Sequence, residues 1–421
     1  MHKVARYPLV LWMGWHHVPT RVPREGEMAD AMSRRNFVRL SGVAAAGMGA
    51  APLLAGCGNS PNAGSTTIKL GMLGPFTGDV AQYGTACRNG VELYFEQNPK
   101  IGDYTVDLDE QDEKGDATEA VNVYNKMAED GVVAIIGDVT STPSIAVAQA
   151  SVKDNMPLVS ASTTAADFIS YGPNAFRACV TDPYQGKLMA DFAATQGYKT
   201  VGVIFNSGGD YEVGVKDAFV EEAKAKGITV LDPQGYAAGD VDFNAQLTTI
   251  IAGNPDAVLA PNYYQDDGKI VTQARQLGYK GVFLGADGWS NILGGDEEYA
   301  SATDLEGCYY DCSFILENDD EGVQKFVKAY KDEYGESPTN FCALGYDAAM
   351  VMMNGIKTAV EGGADLSSDD GRQAIIDGIA KGSVEGVTGT IKYDGTGDPV
   401  KPTLVITFKD GAQKVFDTIE A

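Results

Sequence analysis

From residue 68 onward, short apolar or β-branched runs alternate with segments of helical period, and they do so twice over. Strands are read over Ile68–Leu73, Thr105–Leu108, Val132–Ile136 and Pro157–Val159, with helices between or beside them over Tyr83–Gln97, Ala117–Glu129 and Ser144–Lys153. The alternation resumes after residue 183. Helices over Tyr184–Gln196, Val213–Lys226, Asn244–Ala252 and Lys269–Leu277 interleave with strands over Thr200–Phe205, Thr229–Leu231, Ala257–Leu259 and Val282–Leu284. A strand that returns through a helix pairs in parallel with its predecessor, because the crossover carries the chain back to its starting end. The expected fold class is therefore α/β, two doubly wound parallel-sheet lobes joined by hinge crossovers. About 355 residues are available from position 67, enough for two domains. The expected division puts 67–182 and 313–390 in lobe 1, and 183–312 and 391–421 in lobe 2.

Doubly wound sheets bind ligands at the carboxyl ends of their strands, so the loops there carry the functional information. In the first half they read Gly137-Asp138-Val139-Thr140-Ser141-Thr142-Pro143 and Ser160-Ala161-Ser162-Thr163-Thr164. Hydroxyls and free backbone N–H groups at helix starts suit a carboxylate. The second half offers Asn206-Ser207-Gly208-Gly209-Asp210-Tyr211, Ala260-Pro261-Asn262-Tyr263-Tyr264 and Gly285-Ala286-Asp287-Gly288-Trp289. Tyrosines and one carboxylate suit an ammonium and an aliphatic stem. A zwitterion held between the lobes satisfies both halves.

The N-terminus has a different logic. Ser33-Arg34-Arg35-Asn36-Phe37-Val38 is a twin-arginine (Tat) pattern, and the run from Val38 to Ala55 carries no charge after Arg39. It ends in Leu54-Ala55-Gly56-Cys57. A basic head, a short apolar middle and small residues at a cleavage site make an export signal peptide over residues 1–56. The run is too short and too rich in Gly and Ala to span a bilayer. Cys57 stands where a lipoprotein carries its lipid, whose chains hold a protein to a membrane by about 0.8 kcal/mol per buried methylene. Residues 1–31 are set aside, with Met28 or Met32 as a candidate start. Residues 57–66, rich in Gly, Ser and Asn, read as a flexible tether.

Composition removes whole classes of function. Residues 1–56 hold seven of the 32 Lys/Arg and three of the 58 acids, which leaves 25 basic and 55 acidic residues and a formal charge of −30. Such a surface repels nucleic acid. All three histidines (His2, His16, His17) precede Cys57. The remainder has no Ser-His-Asp triad, no Cys-His pair and no ordinary zinc site. No phosphate loop appears either, so the expectation is a non-enzymatic protein without metal or cofactor. Five cysteines follow Cys57, and no CxxC occurs. Cys308 and Cys312 lie on one strand roughly 13 Å apart, too far to bond. Export permits some pair among Cys87, Cys179, Cys308, Cys312 and Cys342 to oxidise, but nothing selects one, and all five also suit buried apolar positions.

With these loops in hand, the chain resembles the branched-chain amino-acid-binding proteins of ABC transporters, leucine-binding-like members of the type I periplasmic-binding fold. Four stretches carry the likeness: Gly74-Pro75-Phe76-Thr77-Gly78-Asp79-Val80-Ala81-Gln82-Tyr83-Gly84, Asp112-Glu113-Lys114-Gly115-Asp116, Ala134-Ile135-Ile136-Gly137 and Phe283-Leu284-Gly285-Ala286-Asp287-Gly288. The resemblance implies a monomeric clamshell that closes by hinge motion on a small or aliphatic α-amino acid. It would then deliver the ligand to an ABC permease and ATPase, and would touch the membrane only through its lipid anchor. Position by position, it implies Ser141, Thr164 and the backbone of Ser162 for the ligand carboxylate, and Tyr211 and Asp287 for the ammonium. Tyr83, Tyr263, Trp289 and Phe341 would shape the side-chain pocket. Two departures are visible. Leucine-type members carry Glu where Asp287 stands, and the positions of a first-lobe disulfide are here Gly115 and Thr140.

Each residue also has a plainer reading. Ser141 and Thr164 fit helix N-caps, Asp287 a turn, Tyr211 surface packing, Trp289 core and Phe341 the start of a helix over Phe341–Val360. Two rival functions share the fold: a freestanding amino-acid sensor, and a binder of amides, urea or organic acids. An organic acid would leave the Asp287 carboxylate without a cation. Only Val415–Ala421 is read as following the lobes, so no fused signalling domain is expected.

Overall fold

The structure, a computed structural model, describes residues 67–293, 299–393 and 395–419. Cys57, the twin arginines and the tether lie outside the described residues. The chain opens with β1 (Thr67–Gly74), α1 (Ala81–Gln97), β2 (Lys100–Ile101), β3 (Tyr104–Asp112), α2 (Ala117–Glu129), β4 (Ala134–Ile136), α3 (Ser141–Ser151), β5 (Leu158–Ser160) and β6 (Ala175–Arg177). These strands form one sheet in the order β2-β3-β1-β4-β5-β6. Leu70, Met72 and Leu73 of β1 are all buried, as a central parallel strand covered on both faces requires. Pairing is parallel throughout except at the edge, where β2 and β3 are antiparallel.

The second series is α4 (Asp182–Thr195), β7 (Thr200–Asn206), α5 (Asp210–Ala225), β8 (Thr229–Val230), β9 (Gln234–Tyr236), α6 (Asn244–Ala252), β10 (Ala257–Leu259), α7 (Tyr264–Gln276), β11 (Val282–Leu284), α8 (Ala302–Leu305) and β12 (Tyr309–Cys312). The chain then returns to the first sheet with α9 (Glu321–Tyr334), α10 (Asn340–Glu361) and α11 (Asp369–Lys381), followed by the hairpin β13 (Ser383–Gly386) and β14 (Gly389–Lys392). Here α10 lies along α1. The two helices meet closely because Gly90 and Gly345 carry no side chain: a Cβ at Gly90 would lie 2.0 Å from the Cys342 carbonyl oxygen, and one at Gly345 2.2 Å from that of Cys87. The last strands, β15 (Thr403–Lys409) and β16 (Ala412–Ile419), extend the second sheet to β16-β15-β12-β11-β10-β7-β8, with β9 beside the far half of β7.

Three expectations need correction. The second sheet is mixed, because β15 pairs antiparallel with β12 and with β16. Val415–Ile419 does not trail behind the lobes, since it belongs to edge strand β16. Helix α7 starts at Tyr264, five residues before the expected Lys269. Its first turn holds Asp266 and Asp267, polar residues that look like loop but favour a helix N-terminus electrostatically. Asp267 is buried and takes hydrogen bonds from the Asn262 side chain (2.8 Å) and backbone (3.1 Å).

Three segments connect the sheets: β6 to α4, β12 to α9 and β14 to β15. Buried cations pin the first and the third. Arg177 Nη1 donates to the carbonyls of Thr163 (2.7 Å) and Ala165 (2.9 Å), and its Nε meets Asp398 at 2.7 Å. Lys401 Nζ, in the third segment, donates to the Ala178 carbonyl of the first at 2.9 Å.

Candidate functional site

In each sheet the winding reverses at one point. In the first it lies between β1 and β4, and in the second between β7 and β10. A crevice opens at the carboxyl ends of the strands flanking such a point. The segments following these strand ends, together with Asp287 past β11, meet across one small cavity of about 10 Å³. Eight of the nine expected body residues line it: Tyr83, Ser141, Ser162, Thr164, Tyr211, Tyr263, Asp287 and Phe341.

On the first-lobe side, Thr140 occupies the N-cap of α3 and makes no side-chain cap hydrogen bond. Ser141 is the first helical residue, so it is not the N-cap, and its Oγ accepts from the Ala165 N–H at 3.3 Å. The Ser162 hydroxyl donates to the Val139 carbonyl at 2.8 Å, which leaves its backbone as the group free to serve a ligand. No Lys or Arg lines the cavity. An anion placed there would be received by hydroxyls, by the Ser162 backbone and by the N-terminus of α3.

On the second-lobe side, Asp287 begins a single 3₁₀ turn, Asp287–Trp289. Burial pushes its carboxyl up to about 6, against the opposing effects of the Tyr211 hydroxyl, the Gln185 amide and the Gly288 N–H. The groups that act on it most strongly include no cation. Tyr211 is buried at 2 % exposure, which rules out surface packing; its hydroxyl accepts from the Gly288 N–H at 2.9 Å. Its ring stacks on Tyr263 with centroids 5.1 Å apart.

Tyr83 joins the two sides. Its hydroxyl donates to the Gly288 carbonyl at 2.5 Å and accepts from the Tyr264 N–H at 3.1 Å, while its ring lies 4.3 Å from that of Phe341. Thr142 Oγ1 donates to Asp210 at 2.7 Å across the same cleft. A larger cavity of about 690 Å³ adjoins, lined by neighbours along the same helices such as Gln82, Ala86, Asn340 and Cys342. It contains none of the charged or hydroxyl groups argued above.

Trp289 is the exception, and its pocket assignment is corrected. It is fully buried, its Nε1 donates to the Ala260 carbonyl at 2.8 Å, and its ring packs near Tyr310 and Phe408. In a 3₁₀ turn, residues two apart point about 120° apart, so Trp289 is turned out of the cleft that Asp287 faces. All five cysteines of the described residues are buried and unpaired.

Three polar residues beside the cavity had no signal in the sequence. Asp182 and Gln185 sit in the first turn of α4 at 1 % and 0 % exposure, and Glu212 lies in α5 at 2 %. Burial raises the Asp182 carboxyl well above its usual range and takes Glu212 to about 7. Thr181-Asp182-Pro183 reads only as a helix start, and Thr181 does cap α4.

Comparison with known proteins places this geometry. The family model described as "Periplasmic binding protein" matches residues 67–413. A leucine-, isoleucine-, valine-, threonine- and alanine-binding protein of Pseudomonas aeruginosa is 29% identical over 339 residues, covering 79% of this chain and 87% of that protein. A Leu/Ile/Val-binding protein of Rhizobium johnstonii is 28% identical over 338 residues, 79% of this chain and 88% of its own. Among solved structures, the leucine-binding protein LivK of Thermotoga maritima superposes with a TM-score of 0.77 at 31% identity, covering 84% of this chain and 99% of that one. A solute-binding protein of R. palustris in complex with benzoate shares the fold, with a TM-score of 0.75 at 21% identity over 84% of this chain and 96% of that one.

Proposed function

Because the chain belongs to the periplasmic binding protein family, among its branched-chain amino-acid-binding members, we propose that it captures a small or aliphatic α-amino acid outside the cytoplasm and presents it to an ABC permease and its ATPase. The observation that carries this reading is Asp287: a buried carboxyl with no Lys or Arg among the residues lining its cavity, facing hydroxyls and helix N–H groups across a closed cleft. An α-amino acid brings both missing charges on two groups attached to one carbon. The carboxylate goes to Ser141, Thr164 and the Ser162 backbone, and the ammonium to Asp287 and Tyr211. Closure excludes water, which strengthens both contacts.

Tyr83, Tyr263 and Phe341 surround the ligand side chain. Since about 10 Å³ remains between these rings, entry requires the lobes to part by hinge motion, and a leucine-sized side chain requires Tyr83 and Phe341 to shift outward. The Tyr83 hydroxyl, bonded to Gly288 and Tyr264, is then a latch that re-forms on closure. The Cys57 lipid would keep the protein beside its permease.

A second reading, an aromatic or other organic acid as ligand, draws on the benzoate-binding fold relative and on the aromatic walls. Asp287 speaks against it, since a ligand without an ammonium buries that carboxylate unpaired. The test is uptake of radiolabelled L-leucine, L-valine and L-alanine by cells lacking the protein. Restoring it should restore uptake of at least one, and Cys57→Ser should release the protein from the membrane fraction. Unchanged uptake in its absence, with binding intact, would favour a sensor.

A further inference from the structure

The first turn of α4 touches both halves of the ligand site. Its Asp182 N–H donates to the carbonyl of Thr164 at 2.9 Å, on the carboxylate side. One turn on, Gln185 Oε1 accepts from the backbone N–H of Asp287 at 2.9 Å, a contact between residues 102 apart in sequence. The other end of the same amide, Nε2, is buried without a partner in hydrogen-bonding geometry, and the Gln185 side chain lies close enough to the Asp287 carboxyl to lower its pKa. An unpaired buried amide is costly, and packing alone would be served as well by an apolar side chain of the same size.

We propose that Gln185 is a positioning residue for ligand recognition. Its Oε1 fixes the Asp287 turn, and its NH₂ group orients the Asp287 carboxylate toward the ligand ammonium. The inference rests on the ammonium reading of Asp287. The helix supplying Gln185 starts at the first connection between the lobes and also holds Thr164. The distance between the carboxylate and ammonium subsites is thereby set by one rigid turn of helix. An α-amino acid requires a fixed spacing of this kind, since one carbon separates its two charged groups.

The experiment is calorimetric titration with L-leucine and with its des-amino analogue, 4-methylpentanoate, between pH 5 and 8. Wild type should prefer L-leucine, with its affinity falling below about pH 6. Gln185→Leu should weaken L-leucine roughly 10- to 100-fold, the range for a lost hydrogen bond to a charged group, and leave 4-methylpentanoate within about threefold. Its L-leucine midpoint should move to higher pH, because an interaction that lowers the Asp287 pKa is gone. Gln185→Glu is nearly isosteric and serves if the leucine variant does not fold. Asp182 and Asp311 already face Asp287 as buried carboxyls, and one more, in direct contact with it, should raise the midpoint by about one pH unit or more. Equal weakening of both ligands by Gln185→Leu, or an unmoved midpoint in Gln185→Glu, overturns the positioning role. A wild type with no preference for L-leucine overturns the ammonium reading itself, and the inference with it.

Discussion

Replacing Asp287 by Asn should make the protein more stable and a worse binder, and the structure gives the size of both effects. Burial raises this carboxyl from 3.8 to about 6. The folded state thus holds a proton between about pH 4 and 6 that the unfolded chain has released. Stability is greatest at the acid end of that window and is lost as pH rises through 6, the reverse of a salt-bridged carboxylate. At about 1.36 kcal/mol per pH unit, the ligand-free protein at pH 7.5 carries a cost of about 3 kcal/mol. Asn keeps the shape and removes the charge. Asp287→Asn should therefore melt higher than wild type at pH 7.5, by roughly 5 °C for a body of this size, and the gap should narrow to about half by pH 5 and close near pH 4. The same change removes the ammonium's counter-charge, so L-leucine affinity should fall roughly 10- to 100-fold. Scanning calorimetry at both pH values, with and without ligand, reads all of this. An Asn variant that melts below wild type at pH 7.5, or a gap that does not narrow toward pH 5, would refute the view that Asp287 is a strained charge waiting for a cation.

Three further outcomes follow from other contacts. Wild-type affinity for an amino acid should be flat above pH 7 and fall about tenfold per pH unit well below 6, as protonated Asp287 no longer pairs with an ammonium; isothermal titration across pH reads this. Tyr83→Phe removes two hydrogen bonds between the lobes, each worth about 1 kcal/mol, so release measured by stopped flow should quicken by roughly 10- to 30-fold. Trp289→Phe, which opens space in the second lobe and loses the bond to Ala260, should lower stability by about 2 kcal/mol and leave the order of ligand preference unchanged. A changed ligand order would return Trp289 to the pocket.

Most of the architecture was legible because parallel strands buried on both faces announce themselves as unbroken apolar runs, as in Ala134–Ile136 and Ala257–Leu259. The regions that escaped had weaker signatures. In β16, polar and apolar residues come in pairs instead of alternating, most of them exposed at a sheet edge, and its pairing partner β15 has no strand reading from sequence. The start of α7 was hidden by four polar or small residues, Gln265 to Gly268, whose helical place depends on Asn262 and on the helix dipole. In the site, the loops holding Ser141, Thr164, Tyr211 and Asp287 were findable because they follow strand ends, and the family resemblance singled out the residues within them. Trp289 misled because nearness in sequence to Asp287 does not survive a 3₁₀ turn. Gln185 and Asp182 left no trace, because only tertiary folding carries a helix start at residue 182 to a loop at residue 287.

The central claim is that the cleft between the lobes is built for a zwitterion. Calorimetric titration of the purified protein at pH 7.5 with L-leucine, L-isoleucine, L-valine and L-alanine, each beside its des-amino acid, and with benzoate as an aromatic anion, tests it most directly. One-to-one binding of at least one amino acid, with its des-amino partner weaker by roughly tenfold or more, is the expected result. Binding of benzoate or a des-amino acid as tight as any amino acid, or binding by none of the amino acids, would contradict it.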